Sequence, residues 1–420
     1  MTLRHQLPPV RPADLQEGFD HEMSAVALDW ANLLIRWIHV IAGIWWIGSS
    51  LYFVWLDNSF EPPKEPRDGV DGETFMVHGG FYYLVEKRRM EPGKMPEKLH
   101  WFKWEATFTW ISGMILLAVV YYFTGGGSAL IDKNVADLTV PMAVGASLAL
   151  VVGCWLLYDL MWQTVGKAHE KLGTALTILG VVGLAYGLTH LFSGRAAFIH
   201  FGAILGTIMV ANVWIRILPG QQKMLDDALA GRTPDYSQGK YAKVRSVHNS
   251  YMTFPVIFMM ISNHYASTFG HQYNWIVILL LFVLGAGIRH HQITAERGHP
   301  ARWVLVPALL SLLVLVAMTV PKKPVAQAAG EDAVPFGQVQ EIVYMRCTPC
   351  HATEPYHPKY KITAPPKGMV LEAPDQIRQH MEKIHEQTVK TRIMPFGNMT
   401  GMTEEERQVL GRWIEQQGGG

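Results

Sequence analysis

Eight stretches of this chain are long and apolar enough to cross a lipid bilayer, and that property limits what it can fold into. A crossing needs about 20 mainly apolar residues. They occur at Leu28–Leu56, Phe102–Phe123, Val140–Val165, Leu172–Phe192, Ala196–Leu218, Val247–Phe269, Tyr273–Ile288 and Trp303–Val320. Within hydrocarbon the backbone must satisfy its own polar groups, so segments of this length become helices. The expected fold is all-α, a polytopic membrane bundle of eight transmembrane helices, with a lipid bilayer as its surroundings. Only 17% of the 420 residues are charged, against roughly 25% in soluble proteins. The net charge of +1 gives nucleic acid no footing as a partner.

Bases are unevenly distributed between the stretches. The segments joining spans 1–2, 3–4, 5–6 and 7–8 hold most of them, including Lys87, Arg88, Arg89, Lys167, Lys171, Lys223, Lys240, Lys243, Arg245, Arg289, Arg297 and Arg302. The other connections hold Lys133 and Arg195. The positive-inside rule puts the first group in the cytoplasm and both termini outside. Residues 1–27 lack the apolar core of a signal peptide and form an external, periplasmic tail. The membrane domain covers 28–320. Residues 321–332, rich in Pro, Ala and Gly, read as a linker. The cytoplasmic stretch Glu73–Lys87 reads either as an interfacial helix or as a solvated loop.

Beyond the linker stands Cys347-Thr348-Pro349-Cys350-His351, a C-x-x-C-H sequence. This is the attachment spacing of haem c: two thiols reach the porphyrin vinyls while the histidine projects toward iron. Residues 333–417 are therefore expected to form a small cytochrome domain holding one covalent haem on Cys347 and Cys350, with His351 on the metal. Phe336, Val339, Ile342, Val343 and Met345 form a helical stripe leading into the motif. Thr403 and Glu406 make a capping box for a last helix carrying Val409, Leu410, Trp413 and Ile414. Haem c is attached outside the bacterial cytoplasm, and an even number of crossings puts this domain there.

Eighteen histidines include several inside the spans, where ionisable groups are functional candidates by default. His39, His190, His200 and His264 fall in the outer half; His169, His248, His290 and His291 fall at the cytoplasmic ends. Two outer histidines on facing helices could ligate a non-covalent haem b, with His39 and His200 the preferred pair. The competing reading makes them helix-bridging groups. Arg36 suits a propionate or an anionic substrate, or else snorkels to the surface. His248-Asn249 and Asn263-His264 suit hydrogen bonding to a planar heterocycle, or interhelical bonding.

The C-terminal part resembles class I cytochrome c, in which the first and last helices cross, with Trp413 in the crossing. That resemblance implies a methionine as second axial ligand. Met394, in Ile393-Met394-Pro395, is preferred over its main rival Met399 and over Met369, Met381 and Met402. The whole chain, through Arg36-Trp37-Ile38-His39-Val40, Gly43-Ile44-Trp45-Trp46-Ile47-Gly48, Gly202–Met209 and Arg245–Tyr251, resembles the membrane-bound urate hydroxylases, also called cytochrome c urate oxidases. The resemblance implies an oxidoreductase converting urate to 5-hydroxyisourate without peroxide, with electrons passing through haem c to a soluble cytochrome c or a terminal oxidase. From the residues alone a second class stays open: a haem-bearing electron-transfer subunit relaying from quinol or a partner dehydrogenase. Urate-dependent haem reduction separates the two.

Overall fold

The computed structural model describes residues 12–123, 127, 129–133, 135–320, 333–357, 362 and 365–418. The linker at 321–332 and the first eleven residues of the expected tail lie outside the described residues. Residues 12–27 of that tail are helical and extend the first membrane helix, α1, which runs Pro12–Ser59.

Seven helical segments are long and apolar enough to cross a membrane: Trp30–Ser59, Trp104–Phe123, Val140–Ala168, Glu170–Thr189, Gly194–Leu229, Asn274–Glu296 and Arg302–Thr319. They contain α1, α2 (Trp104–Leu117), α3 (Val140–Gln163), α4 (Glu170–Thr189), α5 (Gly194–Ala211), α7 (Asn274–Glu296) and α8 (Leu305–Thr319). The remaining expected span also folds as a long helix, α6, Ser237–Ile261. It is not among the seven. It begins ten residues earlier than expected and ends eight earlier, which replaces apolar residues with Lys240, Lys243 and Arg245. What α6 loses in hydropathy it recovers in packing, lying against α5 and α7 with Arg245, Asn249, Ser250 and Thr253 buried.

At the centre is α5: 83% of its apolar window is buried, against 6–28% in the other six. Two small residues let the helices approach. A Cβ on Gly202 of α5 would stand 2.8 Å from Met259 Cβ of α6, and one on Gly285 of α7 would stand 2.9 Å from Pro255 Cδ. Such close backbone contact is how membrane helices gain packing where lipid supplies no hydrophobic drive. Two helices loosen into π-turns, α2 at Ala118–Phe123 and α5 at Asn212–Ile217, before α5 continues as Leu218–Leu229.

The stretch Glu73–Lys87 is neither a helix nor a plain loop. It lies in an antiparallel hairpin of β1 (Val70–His78) and β2 (Phe81–Arg88), in register from Glu73↔Glu86 to His78↔Phe81. Gly79 and Gly80 form the turn with φ of 62° and 82°, the two left-handed positions that favour glycine in a tight hairpin. The expectation of an all-α chain is corrected here by this one sheet.

The C-terminal part has its own core. Helix α9 (Phe336–Arg346) and the last helix, α12 (Glu404–Gln416), pack together. Two shorter helices lie between them, α10 (Pro374–Gln379) and α11 (Met381–Ile384). Trp413 is buried among Val339, Val343 and Ile414, its ring 5.3 Å from Phe336, as expected for crossing first and last helices. The capping box forms: Thr403 accepts from the Glu406 N–H while Glu406 accepts from Thr403 N. Ile393 and Phe396 of this domain pack against the core of the membrane bundle.

Candidate functional sites

The C-x-x-C-H segment follows α9 and wraps into one turn, His351 N donating to Cys347 O at 2.9 Å. Cys347, Cys350 and His351 line a cavity of about 620 Å3, with Met369, Met394 and Met399. His351 Nδ1 bonds to the Met369 carbonyl at 2.9 Å; a neutral imidazole so held donates through Nδ1 and leaves Nε2 as a ligand lone pair. Both cysteines are free. Burial pushes the Cys347 thiol up to about 12 and raises Cys350 as well, so both are protonated thiols at neutral pH. Two thiols, one oriented imidazole and thioethers on a single cavity fit the donor set of haem c. The sulfur candidates narrow. Met402 is buried in the core, and Met381 packs against that core; Met369 supplies the carbonyl that holds His351. Met394 and Met399 remain. The Met394 backbone is fixed at both ends, N–H to Gln387 O and C=O from Arg407 Nη1, each 2.8 Å. Among the described residues no group of three or more His, Cys, Asp or Glu side chains could hold a bare metal ion.

The membrane domain contains two polar clusters, each beside a π-turn, a local irregularity that recurs at functional sites. The outer cluster is built on α2, α3 and α5. His200 is fully buried, its Nε2 2.6 Å from Ser147 Oγ and its Nδ1 2.7 Å from Ala196 O, with Tyr122 OH on the same Ser147 at 2.7 Å. Both ring nitrogens are thus occupied by the protein. His39 is in a different interface, α1 against α2, with Nδ1 3.0 Å from Thr109 O and 3.1 Å from Ser112 Oγ. Of the preferred haem b pair, His39 is bonded within the bundle through Nδ1 and His200 through both ring nitrogens. Arg36 donates to Asn32 one turn away at 3.1 Å. Asn263 accepts from Arg195 Nε at 3.0 Å and Tyr121 OH at 3.4 Å. His264 stands exposed next to it at the end of a 3-10 turn. His190 stacks on Tyr186 at 3.9 Å.

The inner cluster joins α3, the α5 π-turn and α6. Tyr158 OH bonds to His248 Nδ1 at 2.7 Å and accepts from Asn212 Nδ2 at 3.3 Å. The same phenol oxygen thus holds both the imidazole and the Asn212 amide. Trp162 covers the imidazole, centroids 4.2 Å apart. Asn212 also donates to Asn249 Oδ1, and Asn249 Nδ2 donates to Met209 O, both at 2.9 Å. Asn249 therefore ties α6 to α5, while Asn212 Oδ1 is buried without a partner. Below lies Asp159, held between Arg216 (Nε to Oδ1, 2.8 Å) and Arg245 (Nη2 to Oδ1, 3.1 Å). A buried carboxylate is tolerated only with such pairing.

Next to Asn249 and Ser250 lies a cavity of about 790 Å3. Trp46, Phe53 and Phe102 give it aromatic walls; Ser49, Ser50, Gln221 and Arg297 add polar edges. Ser250 Oγ accepts from the buried Arg289 Nε at 3.0 Å, which leaves its hydroxyl proton to donate. Of the sequence candidates, His248 and Asn249 share the inner cluster and Asn249 lines the cavity, while Arg36, Asn263 and His264 lie outside both. Tyr158, Asp159, Trp162, Arg216 and Arg245 were not singled out by sequence reasoning for this site. The available signal was Asp159, an acid inside an apolar span.

A family model described as urate oxidase, N-terminal, matches residues 25–320. No curated protein and no solved structure matches the chain.

Proposed function

The chain belongs to the urate oxidase N-terminal family, and on that premise we propose that it is a membrane-bound oxidoreductase. It oxidises urate to 5-hydroxyisourate and passes the electrons out through a haem c in its C-terminal domain. The observation that carries the reading is a urate-family bundle on the same chain as a C-x-x-C-H cavity that packs against it through Ile393 and Phe396. In this reading α6 is the eighth crossing, its polar groups facing protein, and both termini are periplasmic in a bacterial inner membrane.

Urate plus water gives 5-hydroxyisourate, two protons and two electrons. Haem c, when bound, supplies one-electron storage, so each turnover discharges twice. Cys347 and Cys350 would hold the group, His351 would ligate its iron, and Met394 would supply a thioether to it. The 790 Å3 cavity suits a planar anion: Trp46 and Phe102 can lie against the ring, Gln221 and Ser250 can meet its edge, and Arg297 can meet its charge. The Tyr158–His248 pair, linked through Asn212 to the cavity-lining Asn249, would take up a released proton. Along α3, eleven residues separate Tyr158 of the inner cluster from Ser147 of the outer one, roughly 16 Å of helix rise. The outer end is the one the C-terminal domain covers.

Urate added without oxygen to the purified full-length protein should reduce its haem band, and the variant His248→Ala should lose that response while dithionite still reduces it. Reduction by quinol but not by urate would defeat the proposal and leave an electron-transfer subunit in its place. Haem b enters none of this. A pyridine haemochrome spectrum with c-type bands alone agrees with a His200 already bonded on both nitrogens.

A further inference from the structure

A second cavity, of about 470 Å3, opens between the end of α3, the π-turn and continuation of α5, and the start of α6. Its walls carry four cations, Lys167, Arg216, Lys223 and Arg245, and one acid, Glu170. Asp159 is also close, bonded to both arginines. Four positive against two negative charges leave the pocket with a net excess of two. Arg245 is 6% exposed. Its Nη2 is used on Asp159, while its Nη1 is buried with no hydrogen-bond partner. A buried guanidinium donor without an acceptor costs free energy comparable to a lost charged hydrogen bond, and the same guanidinium lies over the Tyr158 ring at 5.0 Å, so Arg245 is a fixed positive charge in the wall. Lys167 is held over the Tyr241 ring at 4.9 Å, which keeps its ammonium at the rim.

We propose that this pocket binds the phosphate-bearing headgroup of an anionic phospholipid on the basic side of the membrane. Position favours lipid over a soluble anion. The pocket lies among three membrane helices, and its apolar wall of Trp162, Ile215, Pro219 and Val244 gives the glycerol and upper acyl carbons somewhere to lie. Basic pockets between membrane helices on this side recognise such headgroups. Bound there, the lipid would lean on Arg245 and Arg216, the residues that hold Asp159 beneath His248. The site is thus separate from the urate cavity and does not depend on the proposed reaction.

The test uses the full-length protein, delipidated in detergent, and reads its melting temperature and its lipid adducts by native mass spectrometry. Phosphatidylglycerol should raise the melting temperature and remain bound; phosphatidylcholine and inorganic phosphate should do neither. Each lysine near a headgroup is worth roughly five-fold in affinity, so Lys167→Gln with Lys223→Gln should weaken phosphatidylglycerol binding about 25-fold. Both lysines are at the rim. Should the double variant fold poorly, each single variant should still lose about five-fold. Equal retention of both phospholipids, or unchanged affinity in the variants, would overturn the proposal. So would inorganic phosphate or urate giving the full effect, since the ligand would then be a soluble anion.

Discussion

Removing the Tyr158 hydroxyl takes the partner from His248 Nδ1 and one acceptor from Asn212 in one step. Tyr158→Phe keeps the ring against His248 and leaves one Asn212 N–H unpaired, at roughly 1–3 kcal/mol, while Asn212 keeps its bond to Asn249. If the pair moves protons, urate-dependent haem reduction in this variant slows by about 10- to 100-fold, read by stopped flow, with the haem c spectrum unchanged. The sulfur ligand is a residue-scale question too. Met394→Ala should lower the reduction potential, because a thioether ligand raises it, whereas Met399→Ala should leave a redox titration where it was. The C-x-x-C-H residues were legible as a candidate because their spacing alone points to one chemistry, and the fold puts all three on one cavity. His248 and Asn249 were legible as candidates, but not Tyr158 or Arg245, which gain meaning only when α3 and α6 are brought side by side. His39 and His200 were legible as intramembrane candidates, but depth in the membrane says nothing about which helices face each other.

Among the elements, α6 departs furthest from what hydropathy can see. Its Lys240, Lys243 and Arg245 sit in the first turns and its Asn249, Ser250 and Thr253 face protein, so its insertion should depend on its neighbours. Fused alone into an insertion reporter, Ser237–Ile261 should insert poorly, since its basic first turns and the polar residues His248, Asn249, Ser250 and Thr253 near its middle leave too short an apolar stretch. With α5 and α7 present it should insert. The same packing makes Gly285 intolerant. A Cβ there meets Pro255 Cδ at 2.9 Å and Pro255 N at 3.0 Å, so Gly285→Val should cost about 1–3 kcal/mol, measured as a lower melting temperature in detergent. Seven helices followed from apolar length. The hairpin did not, although Gly79-Gly80 between β-branched and aromatic residues signals one. Val77, Phe81 and Tyr82 are more than 70% exposed, so no buried stripe marked the strands.

At the scale of the whole molecule the C-terminal domain can be addressed by pH. Burial, helped by Lys390, holds His385 below the usual histidine range. The unfolded chain therefore takes up this proton first, near pH 6.5. Above that pH His385 makes no difference to stability; below it stability is lost as pH falls, until the folded state protonates too. Guanidinium unfolding followed by the haem band should give lower midpoints at pH 5 than at pH 7.5, and His385→Asn should shrink the difference. The two domains also meet electrostatically. Arg407, buried and partly unpaired, is drawn below its usual range by burial, and Asp132 of the bundle's outer loop offsets part of that.

Ile393 and Phe396 flank Met394 in sequence, and the side of the C-terminal domain that bears them is the side laid on the bundle. An outside protein seeking the electron at that edge finds it covered by the chain's own helices. On the proposed function, receiving and handing on at that edge would require the domain to lift from the bundle between electrons, and the rate of lifting would cap turnover. Fixing the domain down with a cross-link should leave the first electron's arrival untouched and silence every cycle after it.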